Sequence, residues 1–162
     1  MANIHISDVL RLIISIGICQ CAGFIGSLFT SPAVPTWYAT LKKPLFTPPS
    51  WIFAPVWITL YLLMGISLFL VWRVGLSERT VKVAIGVFLV QLILNTSWSI
   101  SFFGFRSPVA GLVVIILLWI FIILTIQSFL KVSVPAGLML IPYVLWVSFA
   151  AILNTSIVLL NR

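Results

Sequence analysis

Five long apolar stretches, separated by short polar connections, dominate the pattern of the chain. They cover approximately residues 8–29, 51–72, 81–103, 108–130 and 135–160. Each is long enough to cross a bilayer, whose hydrocarbon core of about 30 Å takes roughly 20 residues of α-helix. Strands with unpaired edges cannot lie in lipid. The pattern therefore predicts an all-α membrane protein, with a five-transmembrane-helix bundle as a single domain over residues 1–162.

The first connection differs from the other three, which are short enough to force consecutive helices to be antiparallel neighbours. Aromatic residues, lysines and prolines crowd into residues 37–51, hereafter the first linker. Pro44, Pro48 and Pro49 restrict the backbone, so this segment should be stiff. Tryptophan, tyrosine and lysine side chains favour the headgroup level of a membrane. We therefore expect the first linker to cap a pocket between the helices.

Composition supports a membrane location and changes the meaning of the basic charge. Hydrophobic residues make up 62% of the chain and charged residues 7%, and the mean hydropathy is +1.29. The net charge is +7, but the basic residues are scattered between apolar stretches. Anchoring to lipid phosphates explains this distribution better than nucleic-acid binding does. The charge balance, and the lack of a recognisable targeting segment, favour a multi-pass protein of a prokaryotic cell membrane.

Residues for conventional catalysis are scarce. The only carboxylates are Asp8 and Glu78, both at span ends, and the only imidazole is His5, which precedes the first span. We expect His5 to lie in water; a haem ligand is its alternative role. Cys19 and Cys21 are about 200° apart on a helix and cannot share a metal. The residues therefore offer no acid–base pair, catalytic triad, metal centre or cofactor site, and no acid for ion-coupled transport.

Three spans instead carry an inward-facing stripe of aromatic and amide residues, three or four positions apart. These stripes are Trp57, Tyr61 and Met64; Gln91, Asn95, Trp98 and Phe102; and Tyr143, Trp146, Ala150 and Asn154. Amide side chains are unfavourable in lipid, so the stripes should face inward. They predict a large apolar pocket with a few hydrogen-bonding groups. An ordinary core, in which the amide side chains form hydrogen bonds between helices, fits the same spacing equally well.

Small residues recur at four-residue spacing in the first span, in the pairs Gly17/Cys21, Ala22/Gly26 and Gly23/Ser27. Such pairs allow helices to approach closely. They indicate packing within the bundle, or alternatively the seam of a homodimer.

The last two spans carry predictions of their own. The fourth is apolar on nearly every side from Leu112 to Ile126, which favours the most lipid-facing position in the bundle. Pro142 cannot donate to the carbonyl of Leu138, so the fifth span should kink before Trp146.

The motifs of the chain resemble those of one known family. They are Gly23-Phe24-Ile25-Gly26; Trp37-Tyr38…Leu41…Lys43-Pro44…Pro48-Pro49…Pro55-Val56-Trp57; Gln91-Leu92…Leu94-Asn95…Trp98…Phe102-Phe103-Gly104; and Pro142-Tyr143…Trp146…Phe149-Ala150…Leu153-Asn154. In this order they resemble the TspO/translocator protein family, whose members are also called tryptophan-rich sensory proteins or peripheral-type benzodiazepine receptors.

The resemblance implies a five-helix bundle, often a homodimer, in which the first linker caps a pocket. Family ligands are porphyrins and other tetrapyrroles, synthetic isoquinoline and benzodiazepine drugs and, in animal members, cholesterol, so transport or sensing of such molecules is implied. The implied pocket residues are Tyr38, Trp57, Asn95, Trp98, Trp146 and Ala150. Two alternatives are a light- and oxygen-dependent porphyrin-degrading enzyme, with Trp57 and Trp146 as its redox-active indoles, and a sterol- or lipid-binding scaffold.

Three departures from the family pattern bear on these expectations. Thr155 stands at the tyrosine position of the proposed sterol motif, and Arg162 is too distant to supply its basic residue, which weakens a cholesterol role. Val114 replaces an acid of the fourth helix, and Phe46 replaces a linker tryptophan with similar bulk. Lys42 and Lys43 could meet the propionates of a porphyrin, although lipid phosphate is the simpler partner.

Overall fold

The computed structural model describes residues 6–162, which form helices and connecting turns without a strand. The α-helices are α1 (Ile6–Ala33), α2 (Trp37–Thr40), α3 (Phe53–Trp72), α4 (Arg79–Ser99), α5 (Pro108–Leu130), α6 (Val134–Leu138) and α7 (Ile141–Leu160). A 3₁₀ turn, Ser50–Ile52, leads into α3, and a π turn, Ile100–Gly104, continues α4. Five helical segments are long and apolar enough to cross a membrane, which confirms the predicted architecture.

Side-chain caps set two helix ends that hydropathy does not mark. Helix α1 continues to Ala33, and the Thr36 hydroxyl donates to the Pro32 carbonyl at 2.7 Å just beyond it. At the start of α5, Ser107 accepts from the Ala110 N–H at 3.2 Å, with Pro108 in the first turn. These contacts satisfy backbone groups that a helix end leaves unpaired.

The core runs along the bundle between α1, α3, α4, α5 and α7. Helix α1 packs on α3 and α4, and α5 packs on α4 and α7. Fully buried side chains fill the space between them, including Met64, Phe88, Ile122 and Phe129. The Phe88 and Phe129 rings stack with centroids 5.5 Å apart. Helices in lipid gain little from hydrophobic burial, so this close packing and the polar contacts described below hold the bundle together.

Small residues of α1 serve contacts within the bundle, as the packing interpretation predicts. A Cβ added at Gly23 would lie 2.5 Å from the Tyr61 ring, and one at Gly26 would lie 3.0 Å from the Ser99 hydroxyl. Gly17 has no neighbour within 4 Å of such an atom, and Cys21 is exposed. The homodimer that the resemblance implies stays a prediction.

The prediction for the fourth span is wrong. Helix α5 buries one face, with Gly111, Ile115 and Leu118 among its members, against α4 and α7. Within the 18-residue apolar window of each helix, 33% of residues are buried in α5 but only 22% in α1, the lowest share among the spans. A helix that is apolar on every side carries no period that distinguishes the face toward protein from the face toward lipid.

Pro142 interrupts the fifth span as predicted. Helix α6 ends at Leu138 and α7 begins at Ile141, so the break falls one turn ahead of the proline. The Leu140 N–H bonds to the Gly137 carbonyl at 3.2 Å. The Ala136 carbonyl instead accepts a buried hydrogen bond of 2.7 Å from the Ser67 hydroxyl of α3. A side chain of a neighbouring helix thus repairs the interrupted backbone.

Ser67→Ala should lower the free energy of unfolding by about 1–2 kcal/mol, because it leaves the buried Ala136 carbonyl without its donor. Unfolding in mixed detergent micelles measures the change. Ser128→Ala is the matched control, since that exposed hydroxyl bonds only to Leu124 of its own helix, and its effect should stay within about 0.5 kcal/mol. Equal stability of the two variants would show that the Ser67 contact contributes nothing.

Candidate ligand-binding cavity

A cavity of about 560 Å³ lies under the first linker, between α1, α3, the end of α4 and α7. Its wall contains aromatic rings, small residues and hydroxyl groups, and none of its described lining residues is charged. The aromatic lining residues are Phe24, Tyr38, Phe53, Trp57, Tyr61, Trp98, Phe102, Phe103 and Trp146.

Tyr38 closes the cavity from above. Its side chain is only 5% exposed, and its ring centroid lies 6.2 Å from that of Phe102 and 5.8 Å from that of Phe103. Both phenylalanines belong to the π turn at the end of α4, where the Phe105 N–H bonds to the Ile100 carbonyl at 2.8 Å. The wider turn lets two consecutive rings pack under the linker, and such turns are frequent at functional sites.

Lys43 fixes the short helix that carries Tyr38. Its ammonium donates to the Tyr38 carbonyl at 2.7 Å and to the Leu41 carbonyl at 3.2 Å, and it lies 4.7 Å from the Tyr38 ring centroid. These contacts cap the C-terminal end of α2 and add a cation–π attraction. Burial raises the pKa of the Tyr38 phenol above its ordinary value, so the group stays neutral at physiological pH. The Lys43 charge is therefore engaged within the linker, and Lys42 is exposed.

Asn161 ties the linker to the end of α7. Its Oδ1 accepts from the Lys42 N–H at 3.0 Å, and its Nδ2 donates to the Lys42 carbonyl at 2.9 Å. The same Nδ2 reaches the Ile157 carbonyl of α7 at 2.8 Å. The amide thus pairs with a linker residue as a neighbouring strand would, and the linker packs on the bundle as expected.

Trp98 forms one wall of the cavity. Its indole stacks on Phe102 with centroids 5.5 Å apart, and its Nε1 donates to Asn154 Oδ1 at 3.2 Å. Asn154 Nδ2 donates in turn to the Pro108 carbonyl at 2.8 Å. This chain of bonds joins α4, α7 and the start of α5, and it fixes the orientation of the indole.

Trp146 forms the wall provided by α7, together with Ala150 one turn further on. Its ring lies 6.1 Å from Phe53 and 5.6 Å from Phe149, and Phe149 lies 6.2 Å from Phe46 of the linker. The Trp146 Nε1 atom is buried, with no hydrogen-bond partner in residues 6–162. Packing against these rings and against the core, without a hydrogen bond from residues 6–162, therefore holds this indole in place.

Trp57 and Tyr61 of α3 form the floor, where their ring centroids are 5.6 Å apart. The Tyr61 hydroxyl donates to Asn95 Oδ1. Asn95 Nδ2 donates to the Tyr143 hydroxyl at 2.8 Å, and that hydroxyl donates to Gln91 Oε1 at 2.8 Å. A buried polar network thus crosses α3, α4 and α7 directly behind the floor.

The structure brings five of the six candidate residues to the cavity: Tyr38, Trp57, Trp98, Trp146 and Ala150. Asn95 is the exception, since its amide is buried in the network behind Tyr61. Its position on the inward stripe is correct, but residue spacing does not show that a tyrosine stands in front of it.

The predicted pocket residues do not include several other residues that line the cavity, among them Gly23, Phe53, Tyr61 and Asn154. Tyr61 and Asn154 belong to the predicted inward stripes, and Gly23 belongs to a small-residue pair, so the sequence contained signals for all three. Phe53 carries no comparable signal, because the first turn of α3 follows the proline-rich linker.

Residues 6–162 contain no cluster of three histidine, cysteine or acidic side chains that could hold a metal ion. His5, the one imidazole considered as a haem ligand, lies outside the described residues. The chemistry of the cavity is therefore that of its aromatic rings, hydroxyls and amides.

The sequence is similar to that of known proteins over nearly its whole length. Residues 15–160 match the model of the TspO/MBR family. The chain is 50% identical to the tryptophan-rich protein TspO of Chlorobaculum tepidum over 154 residues, covering 95% of this chain and 98% of the relative. It is 48% identical to the protein of the same name from Archaeoglobus fulgidus over 155 residues, covering 95% and 99%.

A mammalian relative is also similar over most of its length. The chain is 40% identical to the translocator protein of Bos taurus over 133 residues, covering 82% of this chain and 79% of the relative. The predicted family is confirmed by relatives from a bacterium, an archaeon and a mammal. This chain belongs to the TspO/MBR family and is an integral membrane protein with five membrane-spanning segments.

Proposed function

We propose that this protein binds porphyrins and related flat hydrophobic molecules in the cavity under the first linker, and that it acts in their transport or sensing. The observation that carries the proposal is the convergence of Trp57, Trp98 and Trp146 on one uncharged cavity, with Tyr38 above them. Indole faces suit conjugated ring systems, because offset stacking and edge contacts both add to the burial of apolar surface.

The size of the cavity supports a ligand of this class. Its volume of about 560 Å³ falls in the range of roughly 300–1,000 Å³ that is usual for small-molecule sites. The Trp98 ring is held by its bond to Asn154, and the floor is held by the network behind Tyr61. A wall that is already ordered loses little conformational entropy when a ligand binds.

The absence of charge in the described lining constrains how a porphyrin would sit. Burying a carboxylate without a partner is costly, so the propionates of a porphyrin should stay at the mouth of the cavity. Ser31 and Ser50 are exposed residues of the lining near that mouth. The ring would then lie among the tryptophans, with its acidic edge toward the membrane surface.

Trp146→Ala should weaken protoporphyrin binding by about ten-fold or more, because truncating a central aromatic hot-spot contact costs about 2 kcal/mol or more. Quenching of tryptophan fluorescence in lipid nanodiscs measures the binding, and wild-type quenching should saturate. Trp119→Ala is the matched control: this indole is exposed on α5 and bonds to Ser148. Its binding curve should match wild type.

Two results would contradict the proposal. Quenching that rises without saturation in the wild-type protein would favour a membrane scaffold without a small-molecule site. Equal affinities of the Trp146→Ala and Trp119→Ala variants would place any bound porphyrin outside this cavity.

A further inference from the structure

We propose that ligands reach the cavity sideways from the lipid, through a slot between the linker-proximal halves of α1 and α3, while the first linker stays closed. The slot is bordered by Phe24 and Ser31 of α1 and by Ala54 and Ile58 of α3. This proposal rests on the proposed function, which supplies the ligand class, and it adds the route by which that ligand arrives.

Exposure of the lining locates the opening. Phe24 and Ile58 both line the cavity, yet they are 65% and 60% exposed. Ser31 and Ala54 also combine lining with exposure. A side chain can do both only at an edge of the cavity. Because Phe24 and Ile58 lie well inside their spans, this edge faces hydrocarbon rather than water.

The slot has a closed lower end. Gln20 Nε2 of α1 donates to the Ile58 carbonyl of α3 at 3.1 Å. Further from the linker, Gly65 packs against the Ile16 backbone, and on the linker side of Gln20, Gly23 packs against the Tyr61 ring. The two helices are thus in contact from Ile16 up to Gly23 of α1, and the exposed lining residues lie beyond Gly23, toward the linker.

The linker, in contrast, is fastened over the cavity at several points. Asn161 holds both backbone groups of Lys42, and the Tyr38 ring packs on Phe103 of the π turn, with centroids 5.8 Å apart. Phe46 packs on Phe149 of α7. Lifting the linker would break all of these contacts together. New rotamers of Phe24 and Ile58 would widen the slot, and exposed side chains change rotamer in picoseconds to nanoseconds.

The hydroxyl groups at the rim of the slot do not hinder the passage of an apolar ligand. The Ser27 hydroxyl donates to the Phe24 carbonyl at 2.7 Å, and the Thr30 hydroxyl donates to the Gly26 carbonyl at 3.1 Å. These hydroxyls are satisfied within α1, so a passing ring does not have to break bonds to a neighbouring helix. Flat hydrophobic molecules already dissolved in the bilayer fit this route.

A kinetic test compares the two routes in the full-length protein. Protoporphyrin IX is dissolved in phosphatidylcholine vesicles, mixed with vesicles that contain the protein, and followed by tryptophan quenching. Ala54→Phe adds a ring at the slot and should slow association by about five-fold or more, whereas Asn161→Ala frees the linker and should leave association within about two-fold of wild type. Ser31→Phe repeats the first arm at the other rim, should Ala54→Phe fail to fold.

Matched controls and a dilution series separate the possible causes. Val113→Phe adds similar bulk on an exposed position of α5, and Ser156→Ala removes a hydroxyl that bonds only within α7; both should associate as wild type does. At fixed total porphyrin, added lipid should slow association in proportion to the porphyrin-to-lipid ratio.

The proposal is overturned if Asn161→Ala accelerates association about five-fold while the slot variants do not slow it. Ligands would then enter the cavity by displacement of the linker. The proposal is also overturned if neither change alters the rate, or if the rate follows the aqueous porphyrin concentration. Loss of saturable binding in the wild-type protein would instead refute the proposed function itself.

Discussion

Gly65→Val is expected to lower the free energy of unfolding by about 2–3 kcal/mol, the cost typical of overpacking a tight contact. A Cβ at this position would lie 2.6 Å from Ile16 Cα and 3.0 Å from Ile16 N. Both atoms belong to the backbone, so no change of rotamer relieves the clash, and α1 has to move away from α3. Unfolding in mixed micelles, followed by circular dichroism, measures the loss.

Gly86→Val provides the matched control for this contact. Gly86 lies in α4, and apart from the neighbouring backbone of α4 itself, no atom of residues 6–162 stands within 4 Å of a Cβ added there. Its substitution should change the stability by no more than about 0.5 kcal/mol. Two variants of equal stability would mean that α1 and α3 do not approach as closely as described. The lower closure of the slot would then be lost as well.

Asn95→Leu is expected to cost about 2–4 kcal/mol of unfolding free energy, because it removes partners from two buried hydroxyls at roughly 1–3 kcal/mol each. Tyr61 loses the acceptor of its hydrogen bond, and Tyr143 loses its donor. Thermal unfolding in detergent provides the measurement. Since Tyr61 lines the cavity, porphyrin affinity should fall in the same variant.

A double variant separates the network from simple packing. Tyr61→Phe, combined with Asn95→Leu, removes the hydroxyl that loses its acceptor, while the Tyr143 hydroxyl keeps its bond to Gln91. Replacing both partners of a buried hydrogen bond by apolar groups of similar shape can be nearly neutral. The double variant should therefore be more stable than Asn95→Leu alone. If it is less stable, the loss in the single variant comes from packing and not from an unpaired hydroxyl.

The large features of the fold could be predicted because bilayer thickness converts hydropathy directly into helices. Periodicity also located the cavity walls, since Trp57, Trp98 and Trp146 share inward stripes with amides that lipid disfavours. Periodicity does not predict which face of α5 is buried. Its inward face is as apolar as its outward face, so burial of Ile115 and Ile122 leaves no periodic signal.

Residue spacing does not predict how far an inward-facing side chain lies from the cavity. Asn95 and Tyr61 lie on neighbouring helices, and only their packing decides which one reaches the cavity. The sequence also does not predict individual contacts of the linker, because residues such as Asn161 and Lys42 are 119 positions apart. The charge of Lys43 could be expected at a membrane surface, but its use as a helix cap depends on the turn that follows α2.

The two kinds of order around the cavity have different consequences for binding. Below, the network of Tyr61, Asn95 and Tyr143 holds the floor through buried bonds. Above, exposed bonds between Asn161 and Lys42 hold the linker. Changes to the floor should therefore alter stability and affinity together. Changes at Asn161 should act mainly on the linker and leave the unfolding free energy almost unchanged.

Porphyrin binding in the cavity is tested most directly by an experimental structure of the protein in lipid with protoporphyrin IX bound. We expect a planar ligand beneath Tyr38, in contact with Trp57, Trp98 and Trp146, with its propionates at the mouth near Ser31 and Ser50. A porphyrin found only on the outer, lipid-facing surface of the helices, with the cavity empty or filled by lipid, would contradict this expectation.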